Sequence, residues 1–148
     1  MFEFRQQPTE IVVGLLIKCI KTGRIFLVQR NDQKRYWSLL SGGQEEKDKD
    51  DIHTIKREMQ EELRIKNIDS IEIVKVVDEI FTHTRRIFKY YEGFVDEEFS
   101  VTLNDENISW GWFKPNGLSI VNGQSNMFGL PKRLYPGLRK KIQKICEK

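Results

Sequence analysis

Along the chain, the spacing of apolar residues switches between two periods. Residues 11–20 (IVVGLLIKCI) form a short apolar run rich in β-branched side chains, which predicts a strand. Residues 25–30 (IFLVQR) predict a second. Lys21-Thr22-Gly23-Arg24 predicts the turn that makes the two a hairpin, with Gly23 free to take a positive φ. After a polar loop at 31–35 comes a short apolar run at 36–40, closed by Ser41-Gly42-Gly43, where two residues without side chains permit close backbone approach. Residues 44–51 are charged, lack apolar periodicity and predict a loop. From Ile52 the period changes. Ile52, Ile55, Met59 and Leu63 fall on one helical face, and Asp50 or Asp51 can cap that helix at its positive end. Strands are predicted again at 71–77, 86–95 and 108–113, with a turn at Asn104-Asp105 and a loop at 115–129. Leu134, Leu138, Ile142 and Ile145 share one face of an amphipathic helix at 134–146. No repeat, low-complexity tract or linker divides the chain, so residues 1–148 read as one domain. The order of elements predicts an α+β fold, a mixed sheet with two helices.

Composition narrows the class. With 148 residues, 39% hydrophobic and 32% charged, the chain has the size and balance of a globular protein with a real core. An aromatic share of 11% argues against disorder. The formal net charge of +3 suits an anionic small molecule and is too small to imply nucleic acid. The first ten residues lack the basic leader and apolar core of a signal peptide. The longest apolar run is far too short to cross a bilayer. Cys19 and Cys146 lie far apart with no CxxC, and read as packing residues of a reduced protein. A cytoplasmic protein with no membrane contact is therefore expected.

The helix that starts near Ile52 carries the candidate chemistry. Glu58, Glu61 and Glu62 are spaced i, i+3 and i+4, so they point the same way, beside the apolar stripe rather than on it. Like charges at those spacings repel by about 0.2–0.5 kcal/mol per pair. A hard divalent cation such as Mg²⁺ or Mn²⁺ turns that repulsion into a site. The plainer reading of the stretch alone is a solvated acidic face between Lys and Arg neighbours. What favours a metal is the sequence in front of it: a strand ending in Gly42-Gly43, an acidic loop and the returning helix can fold around one point. Arg57 can pair with Glu61 or steer a carboxylate from the side.

Residues 43–65, GQEEKDKDDIHTIKREMQEELRI, resemble the Nudix box, Gx5Ex7REUxEExGU with U a bulky apolar residue. Gly43 takes the first position, Arg57-Glu58 the RE, Met59 the first U, Glu61-Glu62 the EE and Ile65 the last U. The flanks agree. Residues 25–30 resemble the family's strand ending in arginine, Trp37-Ser38-Leu39 with Gly42-Gly43 its W-x-L-P-G-G entry, and Leu103-Asn104-Asp105-Glu106-Asn107 with Trp112-Phe113 its LNxEH…WF strand.

The resemblance implies a mixed β-sheet packed between helices (an α/β/α sandwich) and a Mg²⁺- or Mn²⁺-dependent pyrophosphohydrolase. Its substrate would be a nucleoside diphosphate linked to another moiety. Glu58 and Glu62 would ligate metal, Glu61 would add to the cluster, and Gly42 would lend its carbonyl. Glu58 could instead be the base that activates water; Arg57 would orient a glutamate; Glu106 would reach the metal or the water. Two residues depart from the pattern. Lys49 stands where the box has Glu, which removes a loop carboxylate and brings a cation near; the loop acids Glu46, Asp48, Asp50 or Asp51 could compensate, though none occupies that register. Arg64 stands where the box has Gly, which implies either a different helix exit or about 1 kcal/mol of strain. Leu40 and Ser41 replace the usual Pro and Gly.

Arg30, Lys34 and Arg35 lie where they could reach phosphate, with Arg85, Arg86 and Lys89 a second basic group. Trp37, Tyr90 and Phe128 could stack on a base. Each competes with a plainer role, solvated charge or core. His53 and His83 read as structural. An alternative to the enzyme is a Nudix-fold domain that binds a nucleotide as a regulator without turnover. A weaker one is a nucleic-acid contact through the basic segment 132–148, whose apolar stripe packing explains. A homodimer is a weak expectation from the family.

Overall fold

The computed structural model describes residues 10–65, 68–81 and 85–148; His83 lies outside them. In chain order the elements are β1 (Glu10–Cys19), β2 (Ile25–Arg30), β3 (Trp37–Ser38), β4 (Leu40–Gly43), α1 (Asp51–Leu63), a short 3₁₀ turn (Ile68–Ser70), β5 (Glu72–Phe81), β6 (Arg86–Val95), β7 (Asn107–Phe113), β8 (Leu118–Val121), β9 (Ser125–Phe128) and α2 (Leu138–Cys146). The described strands form one sheet in the order β5-β6-β1-β2-β7-β8-β9, with β3 added to β2 and β4 to β1.

β1 is the axis of the sheet. Along one side it pairs parallel with β6, from Glu10 opposite Arg86 to Cys19 opposite Val95. Along the other it changes partner part-way. Val12, Val13, Gly14 and Leu15 pair antiparallel with β4, whereas Ile17 and Lys18 pair with β2. With α1 packed on one face of the sheet and α2 on the other, β1 buries both faces, which explains a near-continuous apolar run rather than alternation.

Those two faces feed two cores. Val13, Leu15 and Ile17 pack with Ile55, Met59 and Leu63 of α1 and with Phe26, Trp110 and Trp112. Leu16, on the opposite face, packs with Leu138, Ile142 and Ile145 of α2 and with Trp37 and Phe113. Each fully buried aliphatic side chain contributes about 1.5–3 kcal/mol, so both helices are held by their apolar stripes. The sheet lies between them, the sandwich that the sequence led us to expect.

The connection from β6 to β7 is pinned as well. Phe99 sits 5.1 Å from Phe26 and 5.0 Å from Trp112, ring centre to ring centre, and its carbonyl accepts from the Trp112 indole at 3.0 Å. Beyond it, the N–H groups of Thr102 and Asn104 donate to the carbonyls of Leu63 and Glu62 at 3.0 and 3.3 Å. Carbonyls left open at the end of a helix are thereby satisfied, and the segment carrying Glu106 is laid beside α1.

Three sequence expectations are corrected. The stretch 115–129 is not loop throughout but holds the β8–β9 hairpin, closed at Asn122-Gly123, whose φ values of 53° and 74° are those of a tight hairpin turn. The second helix starts at Leu138 rather than residue 134, because Pro136 and a left-handed Gly137 (φ 88°) precede it; Leu134 instead bridges to Trp37. The run at 36–40 divides at Leu39 into β3 and β4, which pair with different strands.

Candidate active site

The loop between β4 and α1, with the first turn of α1, is fixed by short polar contacts. Asp50 caps the helix, accepting from the His53 N–H at 2.8 Å. Asp51 ties the same turn to β6: Tyr91 Oη donates to it at 2.6 Å, Gln44 Nε2 at 3.0 Å and Lys89 Nζ at 3.4 Å. Burial works to raise the Asp51 carboxyl, but these three donors outweigh it and hold the group below its ordinary value. Burial, and then Asp51 itself, push the Tyr91 hydroxyl up.

One turn further on, Arg57 is saturated. Its Nε and Nη2 grip the two oxygens of Asp48 at 3.0 and 2.9 Å, Nη2 also donates to the Gly43 carbonyl at 2.9 Å, and Nη1 donates to Glu58 at 3.0 Å and Glu61 at 3.2 Å. Asp48 accepts in addition from Thr54 Oγ1 and from the Glu45 N–H, each at 2.9 Å. The Arg57 hydrogen bonds hold the Asp48 carboxyl well below the carboxylate range, and Asp48 in turn raises Arg57.

The other flank of α1 is of opposite character. Carboxylate oxygens of Glu58, Glu62 and Glu106 all lie within 4.8 Å of one another. Glu62 is buried, Glu58 half-buried and Glu106 exposed. Burial first, then the hydrogen bond shared with Glu58 and the charges of Glu106 and Glu58, push the Glu62 carboxyl up to about 8; the Asn107 amide, donating to it at 3.0 Å, opposes this. Asn107 is itself buried, and its Oδ1 has no hydrogen-bond partner. Glu58 lies so tightly on β4 that a Cβ at Gly42 would land on its side chain. Here is the physical reason for a glycine at that position. Three crowded carboxylate oxygens, one buried and driven towards neutrality, fit a hard divalent cation.

Across β4 from this cluster a cavity of about 500 Å³ opens, within the roughly 300–1,000 Å³ usual for small-molecule sites. Ser41 and Leu39 line it from β4, Arg30 from β2, Arg86 from β6 and Lys141 from α2, with Tyr36 and Tyr135 also in its wall. The two tyrosine rings meet edge-on at 5.6 Å. Since Ser41 lines the cavity and Gly42 touches Glu58, one peptide step separates the wall of the cavity from the carboxylates.

The NUDIX domain family model matches residues 8–134. The chain belongs to the Nudix family. That family is one of hydrolases acting on pyrophosphate bonds. Solved Nudix structures share its fold. The Escherichia coli dihydroneopterin triphosphate pyrophosphohydrolase is 20% identical, with a TM-score of 0.57 over 74% of this chain and 82% of that one. A Caenorhabditis elegans Ap4A hydrolase is 21% identical, with 0.56 over 68% and 77%. A NUDIX hydrolase from Nitrosomonas europaea is 14% identical, with 0.66 over 97% and 73%. No curated protein sequence matches the chain.

Against this Nudix frame, the residues singled out from sequence divide. Glu58, Glu62 and Glu106 converge, with Gly42 against Glu58. Glu61 does not join them: it is half-exposed and its carboxylate is drawn to Arg57, four residues back on the helix. Trp37 is corrected from a stacking candidate to a core residue, 8% exposed and edge-on to Phe113 at 5.0 Å. Arg30 lines the cavity, whereas Arg35 is exposed, outside the cavity wall, its N–H donating to Asp32. Tyr90 is buried and hydrogen-bonded to Glu92, and Phe128 is exposed on β9. Arg86 enters the cavity wall, while Lys89 braces Asp51. Lys49 is exposed rather than turned to the carboxylates by any ion pair among the described residues, and its N–H donates to His53 Nδ1 at 2.9 Å. Arg64 adopts the left-handed conformation (φ 53°, ψ 41°) and caps the helix through its N–H, so the exit is retained and the strain is local. Sequence reasoning missed Asn107, Lys141 and Tyr135. The alternation of β7 could have shown Asn107 on the inner face, but the two α2-side residues carry no local signal. Among the described residues, no helix is long and apolar enough to cross a membrane.

Proposed function

We propose that the protein is a metal-dependent pyrophosphohydrolase that cleaves the diphosphate linkage of a nucleoside diphosphate joined to another moiety. The convergence of Glu58, Glu62 and Glu106 carries this reading, with a cavity across β4 whose wall holds Arg30, Arg86 and Lys141 together with Asp32 and Glu79. Glu58 and Glu62, with the backbone at Gly42, would hold Mg²⁺ or Mn²⁺, with Glu106 beside them. Such an ion supplies charge neutralisation at the bridging phosphates and a more acidic water.

The chain's own residues do the rest. Arg57 fixes one oxygen of Glu58 and so sets the direction of that carboxylate. Asn107 does the same for Glu62 from the buried side. Glu106, the exposed member, is the group we assign to take a proton from the attacking water. Arg30, Arg86 and Lys141 offer positive charge to phosphate, and Tyr36 and Tyr135 offer aromatic surface to a base. Arg86 and Lys141 are held for that purpose by Glu10 at 2.9 Å and Glu79 at 3.4 Å.

The test is a panel of nucleoside triphosphates, dinucleoside polyphosphates, ADP-ribose and sugar nucleotides with Mg²⁺ or Mn²⁺. Release of a nucleoside monophosphate that requires the metal, and is lost in Glu58→Gln and Glu62→Gln, is expected. Retained ligand affinity with no turnover on any member would instead identify a nucleotide-binding regulator.

A further inference from the structure

The chain leaves the Nudix box pattern at position 49, a lysine where that pattern has glutamate. The neighbouring residue behaves unlike any other acid of the loop. Asp48 has a side chain with no exposed surface, in a run where Glu45, Glu46 and Lys47 are all exposed. Four donors reach its two oxygens: two from Arg57, one from Thr54 and one from the Glu45 main chain. A carboxylate so completely satisfied is not there to be solvated. Arg57, gripped by it in a two-pronged pair, spends its remaining donors on the Gly43 carbonyl, on Glu58 and on Glu61. The path from Asp48 to the oxygens of the carboxylate cluster is therefore two hydrogen-bonded steps long.

We propose that Asp48 is a positioning residue of this site: it supplies, from one place earlier in the loop, the carboxylate that the box lacks at position 49, and acts through Arg57 on the direction of Glu58. The turn that allows the shift is visible. Asp48 N–H donates to the Glu45 carbonyl at 2.9 Å while the Glu45 N–H donates back to the Asp48 side chain at 2.9 Å, which folds the loop in on itself and brings a short side chain to Arg57. Lys49 is left facing outwards, with its main chain fixed by His53. The departure at 49 is then a change of register rather than a loss.

The inference rests on the metal-site reading, and the experiment separates the two. Binding of Mn²⁺ alone is measured by electron paramagnetic resonance of the free ion, for the wild type, Asp48→Asn, Lys49→Glu and the double variant, with circular dichroism confirming the fold of each. Asp48→Asn should weaken Mn²⁺ binding by about tenfold, the scale of outer-shell changes around a metal. Adding Lys49→Glu to Asp48→Asn should recover most of that loss by restoring the box register, which a merely structural role for Asp48 does not produce. Lys49→Glu alone should change affinity by less than about threefold, because Arg57 is already saturated; this arm decides the matter if Asp48→Asn does not fold. Unchanged affinity in a folded Asp48→Asn, or tightening by about tenfold in Lys49→Glu alone, would overturn the proposal and leave the metal site standing. A wild type that takes up no Mn²⁺ would overturn both.

Discussion

Two groups of carboxylates flank the same helix and meet opposite fates. On one side of α1, Asp48 and Glu61 surround Arg57, a cation supplied by the chain; on the other, Glu62 and Glu106 crowd together, and the largest influences on Glu62 are its burial, Glu58, Asn107 and Glu106. Glu58 belongs to both, bonded to Arg57 while its oxygens lie within reach of the second group. Where the cation is built in, Asp48 is held charged; where it is not, Glu62 is driven up to about 8. The same residue type at helical spacing thus yields a rigid brace or a receptive site, and the position of one arginine decides which.

The largest effect expected from this contrast is on turnover. Glu62→Gln should lower kcat by about 10²–10³-fold, the scale of losing one group that manages charge in a transition state. Glu61→Gln, on the braced side and half-exposed, should cost less than tenfold. Equal losses in the two variants, measured as steady-state rates with Mg²⁺, would erase the distinction. Gly42→Ala comes next. Its Cβ would displace Glu58 from β4, at about 1–3 kcal/mol of overpacking, so chemical denaturation should show a modest loss of stability while metal uptake falls much further.

The pH dependence should differ in sign between the groups. Asp48 has a depressed value in the folded state, so its contribution is present at neutral pH and lost as pH falls through and below the ordinary carboxylate range. The gap in melting temperature between wild type and Asp48→Asn should therefore close in acid. Glu62 has a raised value, so in metal-free protein the folded state binds the extra proton, and stability should fall as pH rises from about 4.3 to about 8. Thermal melts in chelator should show that decline, and Glu62→Gln should flatten it. The smallest effect sharpens the comparison by lying outside both groups. Arg64→Gly relieves a left-handed arginine at the helix exit and should stabilise by about 1 kcal/mol, leaving metal affinity unchanged.

What the sequence could show follows from the range of each interaction. β2 and β6 begin and end where the apolar runs do, and α1 begins at its acidic cap, because propensity, periodicity and capping are local. The β8–β9 hairpin was missed although Asn122-Gly123 is a recognised turn dipeptide, since strands of four residues with Ser and Asn resemble loop. The spacing of Glu58 and Glu62 was legible, as was the need for glycine at 42. The division of labour between Glu61 and Glu106 was not. Glu61 sits at ideal spacing for the cluster, yet the nearest strong partner in space is Arg57; Glu106 joins because Phe99, Thr102 and Asn104 bind a distant segment to the helix end. Asp48 shows the same limit. A pattern aligned residue by residue marks position 49 as a defect, while the chain repairs it by a turn that no spacing rule describes.

The parallel pairing of β1 with β6 has a consequence in time. Glu10 meets Arg86 only 76 residues later, and β4 and α1 are both made in between. During synthesis β1 therefore waits, apolar on both faces, while β2, β4 and α1 gather on one side of it. Pairings of such long range are slow to form and leave edges exposed to other chains. The strand that organises the carboxylate-bearing helix is also the one most dependent on a late arrival, so crowding of nascent chains should harm this protein first at β1.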